Sequence, residues 1–344
     1  MSSTDVVLVV LWVGITAYAI LGGADFGAGL WDLLAGNAET GRRPRHLIDR
    51  AITPVWEANH TWLIFDLVVL WTAFSPAFAA VMTTLFIPLC FAALGIVLRG
   101  AGFAFRHVSE RLEAQRAFGA AFALASVLTP FFMGTVVGAV ASGRVTPSTG
   151  PDQAWSSWTG PLSLLVGVMF VVTCAYVSAV FLVHEARRAG DAGLEQYFRV
   201  RALVAGGAGG VVAVAGVIVL HADARYVYDG LTGDGLPLVV ASLLCGAAVL
   251  VLLGRGARRG PRPLAVGAVV AVVWGWGVAQ HPYLLPQVLT IDAGAAPSDT
   301  LTALLIVLAI AVVLVLPAIG LLFTLTQRSL IEEGERPHPH TSAG

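Results

Sequence analysis

The sequence predicts an all-α polytopic membrane protein of nine transmembrane helices, and three observations predict it. Long apolar runs recur along the whole chain, which has a mean hydropathy of +0.81. Only 12% of its 344 residues are charged, against about a quarter in a soluble domain. Every basic residue is an arginine, and the arginines gather in clusters between the apolar runs.

The runs fall at residues 6–34, 52–74, 77–99, 117–142, 160–184, 201–221, 236–254, 263–281 and 300–326, each near or above the ~17–25 residues that cross a bilayer. Every second connection is basic. Arg42, Arg43, Arg45 and Arg50 lie between spans one and two, and Arg99, Arg106, Arg111 and Arg116 between three and four. Arg187, Arg188, Arg199 and Arg201 separate five from six, Arg255, Arg258, Arg259 and Arg262 separate seven from eight, and Arg328 and Arg336 follow span nine. Eighteen of the twenty arginines therefore share one side, with only Arg144 and Arg225 on the other. Positively charged loops stay in the cytoplasm during insertion, so the N-terminus is expected outside and the C-terminus in the cytoplasm. A missed or invented span would have thrown later clusters onto the wrong side.

Residues 1–326 then form one transmembrane domain, and 327–344 a disordered cytoplasmic tail carrying Glu332, Glu333, Glu335, Pro337 and Pro339. The first 41 residues hold no basic residue, so the n-region of a cleaved signal peptide is missing and span one is expected to stay in the mature protein. Topology alone accounts for the short basic clusters, which excludes nucleic-acid binding. Cys90, Cys174 and Cys245 each fall in a different span without a CxxC pair, as small packing residues do. His184, His221 and His281 stand at span ends, where an amphipathic ring sits at the interface, and His338 and His340 lie in the tail. No metal spacing, phosphate loop or nucleophile elbow is present, and no metal site is expected.

Chemistry is therefore sought where polar groups enter the bilayer, because a carboxylate there is costly and faces a cavity or a partner. The densest such stretch runs from Pro54 through Glu57, Asn59, His60 and Trp62 to Asp66. On a helix Asn59, Trp62 and Asp66 share one face, with Glu57 and His60 nearly opposite. Two polar faces mean that protein surrounds this span. Pro54 suits a first helical turn, which makes Glu57 either a proton-carrying acid near the cytoplasmic surface or an acid favoured by the helix dipole. Asp66 lies roughly 18 Å beyond Pro54 along the axis, past mid-membrane, as a proton carrier or as a buried acid tied to a hydroxyl or an arginine. His60 either shuttles a proton or is a hydrogen-bonded buried imidazole.

Span one holds a second cluster, Gly22-Gly23-Ala24-Asp25-Phe26-Gly27-Ala28-Gly29. Its glycines are spaced to let neighbouring helices approach closely, and Asp25 is forced into that packed region. Asp25 stands near the level of Glu57, so the two carboxylates suggest a cytoplasm-facing inlet. The alternative is that Asp25 hydrogen-bonds backbone in an interhelical contact.

Gly23-Ala24-Asp25-Phe26-Gly27, then Pro54-Val55-Trp56-Glu57-Ala58-Asn59 with Trp62-Leu63-Ile64, then Leu98-Arg99-Gly100-Ala101-Gly102-Phe103-Ala104-Phe105-Arg106 resemble, in order and spacing, subunit II of the cytochrome bd quinol oxidases. Beyond residue 106 the likeness rests on topology and on His281-Pro282-Tyr283-Leu284-Leu285-Pro286 leading through Thr290 and Asp292 into span nine. The resemblance implies a subunit I bearing haem b and haem d, with quinol as reductant, dioxygen reduced to water, protons drawn from the cytoplasm, and the bacterial plasma membrane as location. Lipid, quinone and a small accessory subunit are further implied partners. By position, Glu57 and Asp25 match acids of the family's proton path, Trp62 with Asn59 an oxygen route or subunit contact, and Arg99 and Arg106 the third motif's basic residues. Glu57 stands where some members have aspartate, and His60 and Asp66 lie outside the family pattern.

Two other classes use intramembrane acids. A proton-coupled secondary transporter would do so, but nine spans do not split into two inverted halves. A structural scaffold for a catalytic partner would keep the acids for packing alone. The arginine distribution makes a direct prediction: reporter fusions after Ser157 and Asp229 are expected outside, and those after Arg43, Glu113, Gly190 and Arg258 in the cytoplasm. One reversed signal breaks the nine-span reading.

Overall fold

The protein is seen here as a computed structural model that describes residues 2–37, 39–108, 112–146 and 154–327; the side chains of 52–58, 103, 106–108, 112–116, 315–316, 319–320 and 322–327 are outside that description. The tail from Arg328 onward also lies outside the described residues. The long helices are α1 (Ser3–Leu33), α2 (Arg42–Ala73), α4 (Phe86–Val108), α5 (Leu112–Ala141), α6 (Pro161–Arg188), α7 (Ala192–Asp223), α9 (Leu236–Gly254), α10 (Pro261–Gln280) and α12 (Ser298–Gln327). Short helices α3 (Ser75–Thr84), α8 (Arg225–Thr232) and α11 (Ile291–Gly294) and an antiparallel pair, β1 (Tyr283–Leu285) with β2 (Leu289–Thr290), fill connections.

Local chemistry sets the helix ends. Ser2 and Asp5 form a reciprocal capping box at the start of α1. The Asp191 side chain accepts from Leu194 N–H to start α7, and prolines occupy the first turns of α6, α9 and α10, where their missing N–H costs nothing. Gly190 and Gly256 end α6 and α9 with positive φ of 69° and 70°. In both, the glycine N–H and the next N–H bond back to the last turn, closing a Schellman motif.

The expected span at 77–99 is broken. Phe74 leaves helical geometry at φ −135°, Pro76 starts α3, and the helix from Asn59 to Ala73 meets α3 at a bend of 117°. A second break falls at Leu85, because Pro88 has no N–H for the Thr84 carbonyl and its ring crowds that group. Ser157 Oγ donates to that carbonyl instead, at 3.4 Å. By length and apolarity, six helices among the described residues are long enough to cross a membrane, or seven if the bent pair counts as one. α4 and α12 contribute the shorter apolar stretches Phe86–Gly102 and Ser298–Leu314.

Two sequence expectations about α2 need correction. It begins at Arg42 rather than near residue 52, so Arg42, Arg43, Arg45 and Arg50 are helical rather than loop residues. Pro44, not Pro54, then occupies the first turn, and Glu57 lies about four turns inside the helix. The macrodipole acts only within the first turn, so it does not account for an acid at 57. The corner between α1 and α2 is tied by Arg45, whose Nε donates to Asp32 at 3.0 Å and whose Nη2 donates to the Gly36 carbonyl at 2.7 Å.

α1 is the central helix, packing against α2, α5, α6, α10 and α12. Its glycines set the separations, with Gly27 directly against the Cys174 carbonyl and Gly29 against Ser126 and Arg99. Trp31 Nε1 donates to the Ala175 carbonyl of α6 at 2.9 Å. The outward faces of α7, α9 and α12 stay apolar, with Val211, Leu243 and Val313 exposed as bilayer-facing residues are. Gly27→Ala is expected to destabilise the purified protein by about 1–3 kcal/mol through overlap with a backbone carbonyl. Gly23→Ala, whose methyl would stand 3.9 Å from Val177, should leave the thermal unfolding midpoint unchanged; equal effects of the two would contradict the packing described.

Candidate functional site

Four helices converge on Asp25. The glycines around it bring α2, α5 and α6 close enough that the carboxylate is 1% exposed, and Arg99 of α4 is fully buried beside it. The sequence grouped Arg99 with a cytoplasmic loop cluster; α4 instead carries it into the bundle, because a buried carboxylate there pairs with it. Arg99 Nη2 donates to the Asp25 carboxylate and, at 2.9 Å, to the Asp25 backbone carbonyl. Its Nη1 donates to Ser126 Oγ on α5, and that hydroxyl donates to the Phe122 carbonyl at 2.6 Å. Phe122 and Phe26 stack on the guanidinium, with centroids 4.4 and 5.1 Å from Cζ. From α2, Asn59 Nδ2 donates to the other Asp25 oxygen at 3.2 Å.

Asp25 is thus neither a free carboxylate nor merely bonded to backbone. It is one half of a buried ion pair whose charges are opposed and whose oxygens all accept hydrogen bonds, the condition under which such a pair is tolerated in low dielectric. Two groups beside it keep unused capacity. Arg99 Nε and Asn59 Oδ1 are buried without a partner among the described residues, the latter against Gly22.

Asp66 is different. Two turns from Asn59 on the same face of α2, it turns toward α1 at Gly14, and its Oδ1 is buried with no hydrogen-bond partner among the described residues. Any side chain at Gly14 would overlap it. Tyr18, one turn from Gly14 along α1, donates to Met133 Sδ at 3.2 Å instead.

The cytochrome bd terminal oxidase subunit II family model matches residues 3–326. The chain belongs to that family. It is similar to a Bacillus subtilis (strain 168) protein provisionally named cytochrome bd menaquinol oxidase subunit II, at 21% identity covering 92% of this chain and 93% of that one. It is also similar to the cytochrome bd ubiquinol oxidase subunit 2 of the same organism, at 26% identity over 70% of this chain and 68% of the relative. In fold it resembles the bd oxidase from Geobacillus thermodenitrificans, with a TM-score of 0.75, 24% identity, and coverage of 95% of this chain and 99% of that one. This subunit II is accordingly part of a terminal oxidase, an oxidoreductase, and a multi-pass protein of a bacterial membrane.

Within subunit II, the helical-face argument for α2 holds for Asn59 and Asp66, both of which face α1. Trp62 is half-buried between them, its ring edge-on to Phe65 at 5.6 Å, and His60 is half-buried on the next face. The side chains of Glu57 and Arg106 lie outside the described residues, so the suggested pairing of Asp25 with Glu57 rests on the sequence alone. Ser126 and Phe122 are site residues that the sequence reading missed. A lone serine in an apolar helix carries no spacing signal, and only the position of Arg99 reveals it. Among the described residues no group of three His, Cys, Asp or Glu is arranged to hold a metal ion.

Removing one partner of a buried ion pair strands the other charge, at a cost of about 3–5 kcal/mol. Arg99→Gln and Asp25→Asn are each expected to cut the yield of assembled protein sharply, and the double variant to lose far less than the sum, read as thermal midpoints in a double-mutant cycle. Additive losses would mean that the two side chains are not coupled.

Proposed function

We propose that this chain packs against a haem-bearing subunit I in a complex that oxidises quinol and reduces dioxygen to water, and that α1 and α2 deliver protons to it from the cytoplasmic side. The observation that carries the proton role is Asp66, a carboxyl oxygen enclosed in the bundle without a hydrogen-bond donor among the described residues. Such a group in a spanning helix marks a proton or ion path more often than a packing contact. Glu57 lies in the same helix, now without the dipole explanation. Asp25 plays a different part, holding α1, α2, α4 and α5 in register through Arg99, with Asn59 linking this lock to the Asp66 face.

The relatives' names support quinol as the reductant, with menaquinol and ubiquinol each named in one of them. Around Asp25 the described polar partners are Arg99, Asn59 and Ser126, and Arg99 and Asp25 already occupy each other. Haem b and haem d are assigned to subunit I, where they would carry the electrons. A nine-span topology with the N-terminus outside belongs to this reading. α2, α4 and α12 contain 32, 23 and 30 residues, enough at ~1.5 Å per residue to cross a ~30 Å hydrocarbon core. The secondary-transporter alternative is not favoured by a family match running from residue 3 to 326.

In the assembled oxidase, Asp66→Asn and Glu57→Gln are expected to leave assembly and partner haem content near normal while slowing turnover and proton uptake by about two orders of magnitude, the lower end for a positioned proton-transfer group. Glu57→Asp should keep most activity. Parental turnover in both amide variants, with unchanged pH dependence, would leave the scaffold reading as the better account.

A further inference from the structure

A cleft of about 230 Å³ opens between the last turns of α6 and the start of α10, several times the ~30 Å³ of one water. Its rim is basic, with Arg187, Arg258, Arg259 and Arg262 joined by His184, and no carboxylate lines it. Its floor is apolar, made by Val180 and Val183. Positive-inside topology accounts for arginines in this connection, but not for a cleft that gathers them over an apolar floor.

The guanidinium groups differ in what holds them. Arg187 Nη1 donates to the Ala257 carbonyl at 2.8 Å, tying the two walls together, and its Nε stands 2.9 Å from Glu195. Its Nη2 is buried without a partner among the described residues. Arg262 lies on the Phe181 ring, 4.5 Å from its centroid. No carboxylate of the described residues is within 4.0 Å of Arg258, Arg259 or Arg262. The N-terminus of α10 adds its positive dipole end at the same place. The Schellman turn at Gly256 and the positive φ of 102° at Gly260 fold the connection back over the cleft.

We propose that this cleft binds the phosphate of an anionic phospholipid, the guanidinium groups taking the headgroup while its chains stay in the bilayer beside the helices. Basic pockets between membrane helices recognise such headgroups, and planar guanidinium groups suit phosphate oxygens. Free phosphate shares the charge but carries no chains to anchor it in the bilayer at the ends of α6 and α10.

The test uses the intact oxidase complex, delipidated in mild detergent and titrated separately with phosphatidylglycerol, phosphatidylcholine and inorganic phosphate, with thermal midpoint and retained lipid by native mass spectrometry as readouts. Phosphatidylglycerol is expected to stabilise the complex and to remain bound, and phosphatidylcholine to do neither. Each arginine removed should weaken phosphatidylglycerol about fivefold, so Arg258→Gln/Arg259→Gln should weaken it about 25-fold. Should that double variant fail to assemble, Arg262→Gln alone is read, and an unchanged affinity there overturns the proposal. Equal effects of the two lipids also overturn it. Stabilisation by inorganic phosphate alone would assign the cleft to a soluble phosphate instead. Loss of the partner subunit from the variants, with retained lipid unchanged, would assign it to an acidic partner surface.

Discussion

The buried pair of Asp25 and Arg99 is the constraint around which the bundle is arranged. A carboxylate inside a membrane helix is too costly to leave alone, and so is a guanidinium on a neighbouring helix. Together they are tolerable only if the helices stay close enough for every oxygen and most N–H groups to find partners. The glycines of α1 permit that approach on one side, Gly22 accepting Asn59 and Gly29 accepting Ser126 and Arg99. The phenyl rings of Phe26 and Phe122 close the guanidinium off on its flat faces. Four helices thereby share one electrostatic solution: displacing α1 or α4 leaves a charge unpaired, and displacing α2 or α5 leaves a buried polar group short of a partner.

That arrangement separates two roles for acids that look alike in sequence. Asp25 has an arginine, an amide and no spare acceptor, so its charge is held in place. Asp66 stands two turns from Asn59, faces the same helix, and has a buried oxygen with no hydrogen-bond partner among the described residues. A group that must gain and lose a proton is served by the second environment and hindered by the first. The face of α2 toward α1 joins the lock to the unpartnered carboxyl, while Ile64 and Trp71 on its outer side are exposed and apolar, so within this chain α2 is not surrounded by protein as its two polar faces had suggested.

Most of the architecture was legible because membrane insertion follows hydropathy and arginine position, which are one-dimensional properties. The connection at Ser75-Pro76 fell between two expected spans, but the break at Leu85 was not legible, since Pro88 sits inside a run that reads as continuously apolar. Only the missing proline N–H explains the break at Leu85. The start of α2 was misplaced for the opposite reason, because Arg42 to Arg50 are helical yet polar, and hydropathy registers lipid exposure rather than helicity. In the site, Asp25 and Asn59 were legible as buried polar residues, but their partners were not. Arg99 looked like one more loop arginine, and Ser126 like an accident of composition.

The charge bias behind the expected orientation does not rest on Arg99. Removing it from the basic set leaves seventeen arginines against two, so the charge bias did not depend on the one that turned inward. The chain uses no lysine, and the site shows what arginine alone supplies. A planar group with five donors meets the Asp25 carboxylate, the Asp25 carbonyl and the Ser126 hydroxyl at once, while its flat faces stack on two rings. An ammonium on a flexible stem has three donors, no plane to stack, and a pKa that falls when water is withdrawn. The same type of side chain that sits at the helix ends becomes, inside the bundle, the cation whose shape suits Asp25. Where along its helix an arginine stands therefore decides whether it orients the protein or locks it.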